Sequence, residues 1–282
     1  METLFFISLA SGSSGNASYI GSEQSGLLID AGIGARTIKK QLKNEGISLE
    51  RAVRGVLLTH DHFDHVKGVY SLAEKFNIPI YSTAEVFEGM DCNIRLKEQL
   101  SPASRRFITK NKPFSLAGLI ITPFEVPHDS ADNVGFYIQY ENTRFMLATD
   151  IGCITESINT YVSRSEYVVL ESNYDKNMLL SGRYPLYLKE RIIGQRGHLC
   201  NDESAICIAR NYHPDMKAVW LCHLSRENNT PELALQAFKE KLLLHGIAIQ
   251  KDLQVEVLKR NTSIGRRVLL MHNSLGDHDT DR

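Results

Sequence analysis

One short stretch constrains the fold and chemistry of this chain more than any other feature. The apolar run Val56-Leu-Leu-Thr59 is followed at once by His60-Asp-His-Phe-Asp-His65, which places five ionisable side chains in six positions. If the backbone stays extended, the first two imidazoles point to the same side, and the last Asp and His then turn toward a second point at the start of a predicted helix. Imidazole and carboxylate are ligands for zinc, manganese and iron. The stretch therefore predicts two adjacent metal positions after a strand.

A simpler interpretation of the same stretch is a solvated, charged loop. A single histidine after a strand is more often a polar surface residue than a ligand. Three His and two Asp in six consecutive positions, directly after a buried strand, are seldom supplied by chance. The spacing therefore favours the metal interpretation.

Short apolar runs alternate with helical patterns along the chain. Apolar runs of three to eight residues bounded by turn residues predict strands at residues 4–9, 17–20, 27–29, 56–58, 78–81, 119–124, 135–140, 145–148, 166–171 and 218–222. Apolar spacings of three and four, with flanking turn and capping residues, predict helices at 35–44, 66–76, 154–161, 185–193, 202–212 and 231–244. Two sets of strands, each alternating with helices, predict two sheets packed face to face with helices outside.

The composition limits the domain organisation and the partners. The chain shows no repeat, linker or composition shift, so we expect one domain over residues 1–272 and a disordered polar tail over 273–282. The 32 Lys and Arg nearly balance the 33 Asp and Glu. A nucleic-acid partner would therefore have to be held by a local basic patch.

The cysteines and the N-terminal residues indicate the cellular setting. The five cysteines are odd in number and show no C-x-x-C spacing, which argues against a disulfide scaffold and a thiolate zinc site. The apolar run at residues 4–9 lacks a preceding Lys or Arg, so we interpret it as a buried strand and not as a signal peptide. No apolar run is long enough for a membrane span. We expect a cytoplasmic protein.

The metal-loop residues also carry a family resemblance. His60-x-His62-x-Asp64-His65 after Val-Leu-Leu-Thr59 resembles the motif of the metallo-β-lactamase superfamily. This resemblance implies an α/β fold, the four-layer αββα sandwich. Further matches at residues 11–16, 182–185, 188–192, 197–201 and 223–229 resemble the YycJ/WalJ group of bacterial nucleases. The resemblance extends over most of residues 4–245.

The resemblance implies a site for two divalent metal ions, and its imidazole and carboxylate ligands suit zinc, manganese or iron. The resemblance implies that His60, His62 and His128 bind the first ion. It implies Asp64, His65 and His223 as ligands of the second ion and Asp150 as a ligand of both. Asp30 would orient a ligand imidazole, whereas Asp61 is expected not to be a ligand. Taken one at a time, His128 could be a turn histidine, Asp150 a helix cap and His223 a core histidine. Their joint placement at strand ends favours ligation.

The segment at residues 175–198 bears on the substrate. It holds five cations against two acids, a balance that suits a polyanion better than a neutral lactam. His198 precedes a predicted helix and could bind the scissile phosphate or protonate the leaving oxygen; alternatively it is a capping or core histidine. The further candidate substrate-binding residues are Ser13, Asn16, Arg183, Lys189, Arg191, Arg196, Ser225, Asn228 and Asn229.

The resemblance implies a 5′→3′ exonuclease on double-stranded DNA that acts in mismatch repair and prefers a 5′-phosphate. Its nucleophile would be a hydroxide bridging the two ions, with Asp64 and His198 as catalytic residues, so that no serine or cysteine nucleophile is required. A small-molecule hydrolase of a thioester, lactone or lactam is the alternative enzyme. A non-catalytic interaction protein with structural metals is the third possibility.

Overall fold

Two seven-stranded mixed sheets form the interior of the molecule in a computed structural model that describes residues 3–96 and 98–270. The strands, in chain order, are β1 Leu4–Ala10, β2 Ala17–Gly21, β3 Gly26–Ile29, β4 Val53–Leu57, β5 Ile80–Ser82, β6 Arg105–Phe107, β7 Phe114–Leu116, β8 Leu119–Glu125, β9 Val134–Tyr140, β10 Thr143–Ala148, β11 Tyr167–Glu171, β12 Ala218–Cys222, β13 Gln254–Val257 and β14 Arg267–Leu270. The first sheet has the order β14-β1-β2-β3-β4-β5-β6, and the second has the order β13-β12-β11-β10-β9-β8-β7.

Helices connect the strands and cover the outer face of each sheet. In the described part of the chain they are α1 Ala35–Asn44, α2 Leu49–Ala52, α3 Phe63–Val66, α4 Val69–Phe76, α5 Ala84–Cys92, α6 Glu156–Val162, α7 Lys176–Ser181, α8 Leu186–Ile193, α9 Asn201–Asn211 and α10 Pro231–Leu244. None of these helices is long and apolar enough to cross a bilayer.

Strand β1 shows how the sequence produces the layers. All seven of its residues are buried, because alternate side chains point to the two covered faces of the sheet. Phe6 points between the sheets, where its ring centroid lies 5.2 Å from that of Phe145 and 5.3 Å from that of Trp220. Phe5 and Ile7 point to the opposite face and pack in the apolar layer that includes helix α1. A corresponding apolar layer joins the second sheet to α6, α9 and α10.

Parallel pairing brings the functional loops to one edge of the sandwich. Strand β3 is parallel to β4, and strands β10, β11 and β12 are parallel neighbours. The carboxyl ends of parallel strands lie at the same edge, so the loops that follow these strands meet there.

The predicted αββα architecture is confirmed, and several elements coincide with their predicted bounds. Helix α1, helix α10 and strand β12 have the bounds predicted from the sequence. The single-domain organisation stays a prediction, and the tail at residues 273–282 lies outside the described residues.

The helix predicted at residues 66–76 is wrong in its bounds, because the chain forms two shorter helices, α3 and α4. The Gly68 amide donates to the Ala31 carbonyl at 2.7 Å, which removes it from the helical ladder. A Cβ atom at Gly68 would lie 2.4 Å from the Ile33 carbonyl oxygen. The break therefore results from close packing of the metal-loop helices against the segment that follows β3.

Candidate metal centre

The predicted ligands follow the carboxyl ends of strands in both sheets. The loop with His60, His62, Asp64 and His65 follows β4. The other three ligands come from the second sheet: His128 follows β8, Asp150 follows β10 and His223 follows β12. Two sheets thus contribute to one cluster at a single edge of the molecule.

Three of the strand-end residues have left-handed backbone conformations. The φ angles are +59° at Asp30, +55° at Asp150 and +54° at His223. A non-glycine residue in this region costs of order 1–3 kcal/mol, least for Asp and Asn. The sharp turn ends each strand and directs the side chain into the site, and surrounding contacts hold it there.

The first predicted ligand set forms a compact triad of imidazoles. Ring nitrogens of His60, His62 and His128 lie within 4.8 Å of one another. Nδ1 of His62 lies 3.3 Å from Nε2 of His128. Three nitrogens at such separations are arranged as ligands around one ion would be.

The second predicted set lies beside the first, with Asp150 between them. Nε2 of His223 lies 3.5 Å from Oδ2 of Asp64, and Nε2 of His65 lies 3.8 Å from the same oxygen. The Asp150 carboxylate is 3.2 Å from His65 Nε2, 3.3 Å from His223 Nδ1 and 3.8 Å from His128 Nε2. Asp150 is therefore the carboxylate that reaches both sets.

The inner ring nitrogens fit a metal ion. Nδ1 of His65 lies 2.7 Å from Asp30, and Nδ1 of His128 lies 3.0 Å from the Gly197 carbonyl. These outer hydrogen bonds fix the Nδ1–H tautomer and leave Nε2 as a lone-pair donor toward the centre. The Nε2 atoms of His60 and His223 are buried and have no hydrogen-bond partner among the described residues. Orphaned buried nitrogens are costly unless a cation binds them.

Burial and charge move the ring pKa values in opposite directions. Burial, reinforced by the charge of His65, lowers the pKa of His60 well below its ordinary value, so that this ring is neutral. Burial would also lower the pKa of His223, but Asp150, together with Asp64 and Glu171, raises it to about 10. The oxygens that draw a proton to this ring also attract a divalent cation.

Glu171 is a central residue that we did not predict from the sequence. It is fully buried at the end of β11 and lies in one cluster with Asp150, His198 and His223. Burial would raise its pKa, but His198 and His223 lower it to about 2. Its two oxygens accept hydrogen bonds from the Ile151 amide (2.7 Å), the Leu199 amide (3.1 Å), His198 Nδ1 (2.8 Å), His223 Nδ1 (2.9 Å) and the Asn173 side chain (3.2 Å). The sequence signal that could have identified Glu171 was a carboxylate at the end of a buried strand.

The metal loop is braced by two neighbouring loops. The Asn16 amide donates to the Asp64 carbonyl at 2.8 Å, and the Gly32 amide donates to the Asn16 carbonyl at 2.7 Å. The Asn16 side-chain nitrogen lies 2.9 Å from His65 Nε2 and 3.4 Å from Asp64 Oδ2. The backbones approach so closely that a Cβ atom at Gly32 would lie 1.5 Å from the Asp64 carbonyl oxygen.

We expect Gly32→Ala to lower the free energy of unfolding by about 3 kcal/mol, because the added methyl group overlaps backbone that cannot move freely. Urea denaturation measures this loss. Gly34→Ala is the matched control, since nothing lies within 4 Å of a Cβ atom there and its φ of −59° suits alanine. Equal stabilities for the two variants would contradict the close approach.

The predicted cations differ in whether they contact the loop that carries His128. Arg196 Nε donates to the His128 carbonyl at 2.8 Å, and Arg191 pairs with Asp129, the residue after His128. Lys189 Nζ donates a hydrogen bond to the Leu180 carbonyl at 2.7 Å, and Arg183 is exposed. Arg191 and Arg196 thus hold the loop that carries His128.

The remaining predicted substrate residues divide into open and buried positions. Ser13 and Ser225 line a pocket that also reaches His198 and His223. Asn16, Asn228 and Asn229 are buried, and Asn229 donates to the Ser172 and Asn173 carbonyls. Of these three asparagines, Asn16 reaches the inner nitrogen of His65. Asp61, which we expected not to be a ligand, accepts a hydrogen bond from the Ala131 amide at 3.1 Å.

Comparisons with known proteins agree with this geometry. Residues 26–223 match the model of the beta-lactamase superfamily domain. The chain is 32% identical over 253 residues to exodeoxyribonuclease YycJ of Bacillus anthracis, covering 89% of this chain and 94% of the relative. It is 30% identical over 247 residues to exodeoxyribonuclease WalJ of Streptococcus pneumoniae serotype 2, covering 88% and 91%.

Solved structures share the fold at low sequence identity. The metallo-beta-lactamase fold protein YhfI from Bacillus subtilis superposes with a TM-score of 0.66 at 14% identity, covering 92% of this chain and 98% of that one. Zn(2+)-bound PqqB from Methylobacterium extorquens gives 0.65 at 15% identity, covering 92% and 99%. The chain therefore belongs to the metallo-β-lactamase superfamily of metal-dependent hydrolases, in the family of the YycJ and WalJ exodeoxyribonucleases.

Proposed function

We propose that the chain is a two-metal phosphodiester hydrolase that acts as a 5′→3′ exonuclease on double-stranded DNA and prefers a 5′-phosphate. The observation that carries the proposal is the convergence of five imidazoles and two carboxylates beside a cationic segment. The names of the two relatives, both exodeoxyribonucleases, support DNA as the substrate.

The proposed ligand sets are those implied by the sequence, with zinc, manganese and iron as the candidate ions. When bound, two such ions supply Lewis acidity and lower the pKa of coordinated water. The chain supplies the orientation: Asp30 fixes the ring of His65, and Glu171 fixes that of His223. Asp64, whose side chain is one quarter exposed, completes the second set next to solvent.

His198 is proposed to act on the leaving group. Its Nδ1 bonds Glu171, while 22% of its side chain remains exposed toward the adjoining pocket. Burial would lower the pKa of His198, but Glu171 and Asp150 raise it above its ordinary value. A protonated ring held in this position can bind a phosphate oxygen and give a proton to the departing oxygen.

A time course on an end-labelled duplex, combined with metal analysis, tests the proposed function. We expect release of 5′-terminal nucleotides from phosphorylated duplex, and we expect affinity to fall steeply as salt rises. A chromogenic lactam and a glutathione thioester serve as comparison substrates. The proposal would be overturned if the duplex stayed intact with zinc, manganese and iron while either small molecule was turned over rapidly at all salt concentrations.

We extend the proposal to the cellular setting, namely DNA mismatch repair in the cytoplasm, with residues 1–272 acting as one domain. All five cysteines are free thiols. Unpaired thiols are typical of proteins in reducing compartments. The repair role is supported by the family resemblance alone.

Arg191→Ala is expected to reduce the preference for a 5′-phosphate over a 5′-hydroxyl end by about tenfold or more, because a guanidinium–phosphate bond is charge-assisted. Arg191 forms an ion pair with Asp129, the residue after His128, and lines the pocket at His198 and His223. Initial rates on the two duplexes give the preference.

Arg183→Ala removes the same charge from an exposed position that does not line this pocket and is the matched control. Arg183→Ala should weaken binding of both duplexes to the same extent. If Arg191→Ala and Arg183→Ala leave the same preference, then Arg191 does not bind the terminal phosphate.

A further inference from the structure

A pocket of about 200 Å³ adjoins the candidate metal centre and shares His223 with it. It reaches His198 and His223 on one side. Its apolar lining consists of Tyr184, Leu188 and Ile192, which belong to α8 and the residues just before it. We call this space the α8 pocket.

The apolar wall of the α8 pocket combines one face of a helix with the residue before it. Leu188 and Ile192 are four residues apart and lie on the same face of α8, and Tyr184 precedes the Pro185 N-cap and lines the same pocket. All three are only half-buried, and α8 has no fully buried residue. Leu186 and Tyr187 lie on other faces of α8, where they are 70% and 72% exposed. Tyr184 and Ile192 pack on one side against the small apolar cluster of Tyr174, Leu179 and Cys200, and together with Leu188 they also line the pocket.

The wall is held rigidly enough to form a binding surface. The His198 amide donates to the Ile192 carbonyl at 2.9 Å, which connects the end of α8 to the segment that carries His198. A Cβ atom at Gly197 would lie 2.2 Å from the Arg191 carbonyl oxygen. Lys189 and Arg191 are bonded to the neighbouring segments described above. A preformed wall costs little entropy when a ligand binds.

The chemistry of the pocket fits one nucleotide. Tyr184 offers an aromatic ring, Leu188 and Ile192 offer aliphatic surface, and Arg191, Ser13 and Ser225 offer polar groups around it. Aromatic rings bind nucleobases by stacking, and a guanidinium with hydroxyls binds phosphate. The volume lies below the usual range for a drug-sized ligand, so it limits the occupant to a single base.

We propose that the α8 pocket is the subsite for the terminal nucleotide of the strand being degraded, with its base packed against Tyr184. This inference rests on the proposed exonuclease function and adds how the enzyme recognises an end. A paired base does not fit a space of this size, so the terminal base leaves its partner before cleavage. Ends that unpair easily, such as a terminal mismatch, should therefore react faster than a terminal G·C pair.

Single-turnover cleavage of two 5′-phosphorylated duplexes tests this subsite. One duplex ends in a mismatched thymidine, and the other carries an abasic residue at the same position, so that neither end has a base pair to break. We expect the wild-type protein to release thymidylate about tenfold faster than the abasic residue, the range expected for one base–aromatic stack. Tyr184→Ala should slow the thymidine end by a similar factor and leave the abasic end unchanged, whereas Tyr184→Phe should behave as the wild type.

Tyr187→Ala is the matched control, because it removes the same side chain from an exposed position of α8, three residues along the chain. It should leave both rates unchanged. Equal slowing of both duplexes by Tyr184→Ala, or an equal effect of Tyr187→Ala on the thymidine end, would overturn the subsite while the exonuclease function stands. Failure of the wild-type protein to cleave either duplex would instead refute the function on which the inference rests.

Discussion

Asp150→Asn is expected to abolish hydrolysis, lowering single-turnover cleavage at saturating metal by at least about a thousandfold. Asp150 is buried, and its carboxylate lies within 3.8 Å of nitrogens from His65, His128, His198 and His223. It is the carboxylate that both proposed ligand sets share. An amide keeps the shape of the side chain but loses the negative charge that would hold two cations close together.

Metal content measured by mass spectrometry should fall together with activity in Asp150→Asn. Asp61→Asn is the matched control, since it makes the same change in the metal loop at a residue whose carboxylate accepts a bond from the Ala131 amide. The control should keep both its metal and most of its activity. Full metal content and normal cleavage in Asp150→Asn would contradict the bridging role.

The metal loop could be predicted because its chemistry is local. Five ionisable side chains directly after a buried strand have few explanations other than a cation, and strand β4 fixes where they lie. Helix α10 was predictable for a similar reason: Thr230 caps it, Pro231 begins it and its apolar residues repeat along one face. In both cases the determining interactions lie within a few residues of sequence.

The elements that were missed depend on distant contacts. Strands β6 and β7 have three residues each and lie at or near the edge positions of their sheets, so they carry little apolar periodicity. Helix α5 at Ala84–Cys92 was also missed, although Thr83 caps it by accepting a bond from the Val86 amide. The left-handed turns at Asp150 and His223 have no local sequence pattern, because surrounding structure imposes them.

Glu171 shows the same limit at the site itself. It has no motif around it, and its five hydrogen-bond donors come from segments before and after it in the chain. Sequence reasoning identified His198 and His223 but could not show that one buried carboxylate holds both rings. The predicted ligands therefore came from local spacing and resemblance, whereas their common support became visible only in the fold.

Glu171→Gln is expected to lower the free energy of unfolding by about 3 kcal/mol and to weaken metal affinity or cleavage by about 10- to 100-fold. Glutamine has one acceptor oxygen where glutamate has two. In either orientation its NH₂ group would face N–H donors, either the Ile151 and Leu199 amides or the rings of His198 and His223. Urea denaturation in the presence of a chelator measures the folding loss separately from any loss of metal binding.

Glu166→Gln provides a closely matched control for that experiment. Glu166 is also buried and immediately precedes β11, the strand that Glu171 ends, and it bonds Lys217 at 2.7 Å and the Arg144 amide at 3.0 Å. The control should lose some stability but keep metal affinity and cleavage, because it lies at the opposite end of the strand. If Glu171→Gln lost no more metal affinity or activity than Glu166→Gln, then the carboxylate would serve the fold alone. A selective loss would instead mean that orientation of His198 and His223, and not only their presence, determines how fast the site works.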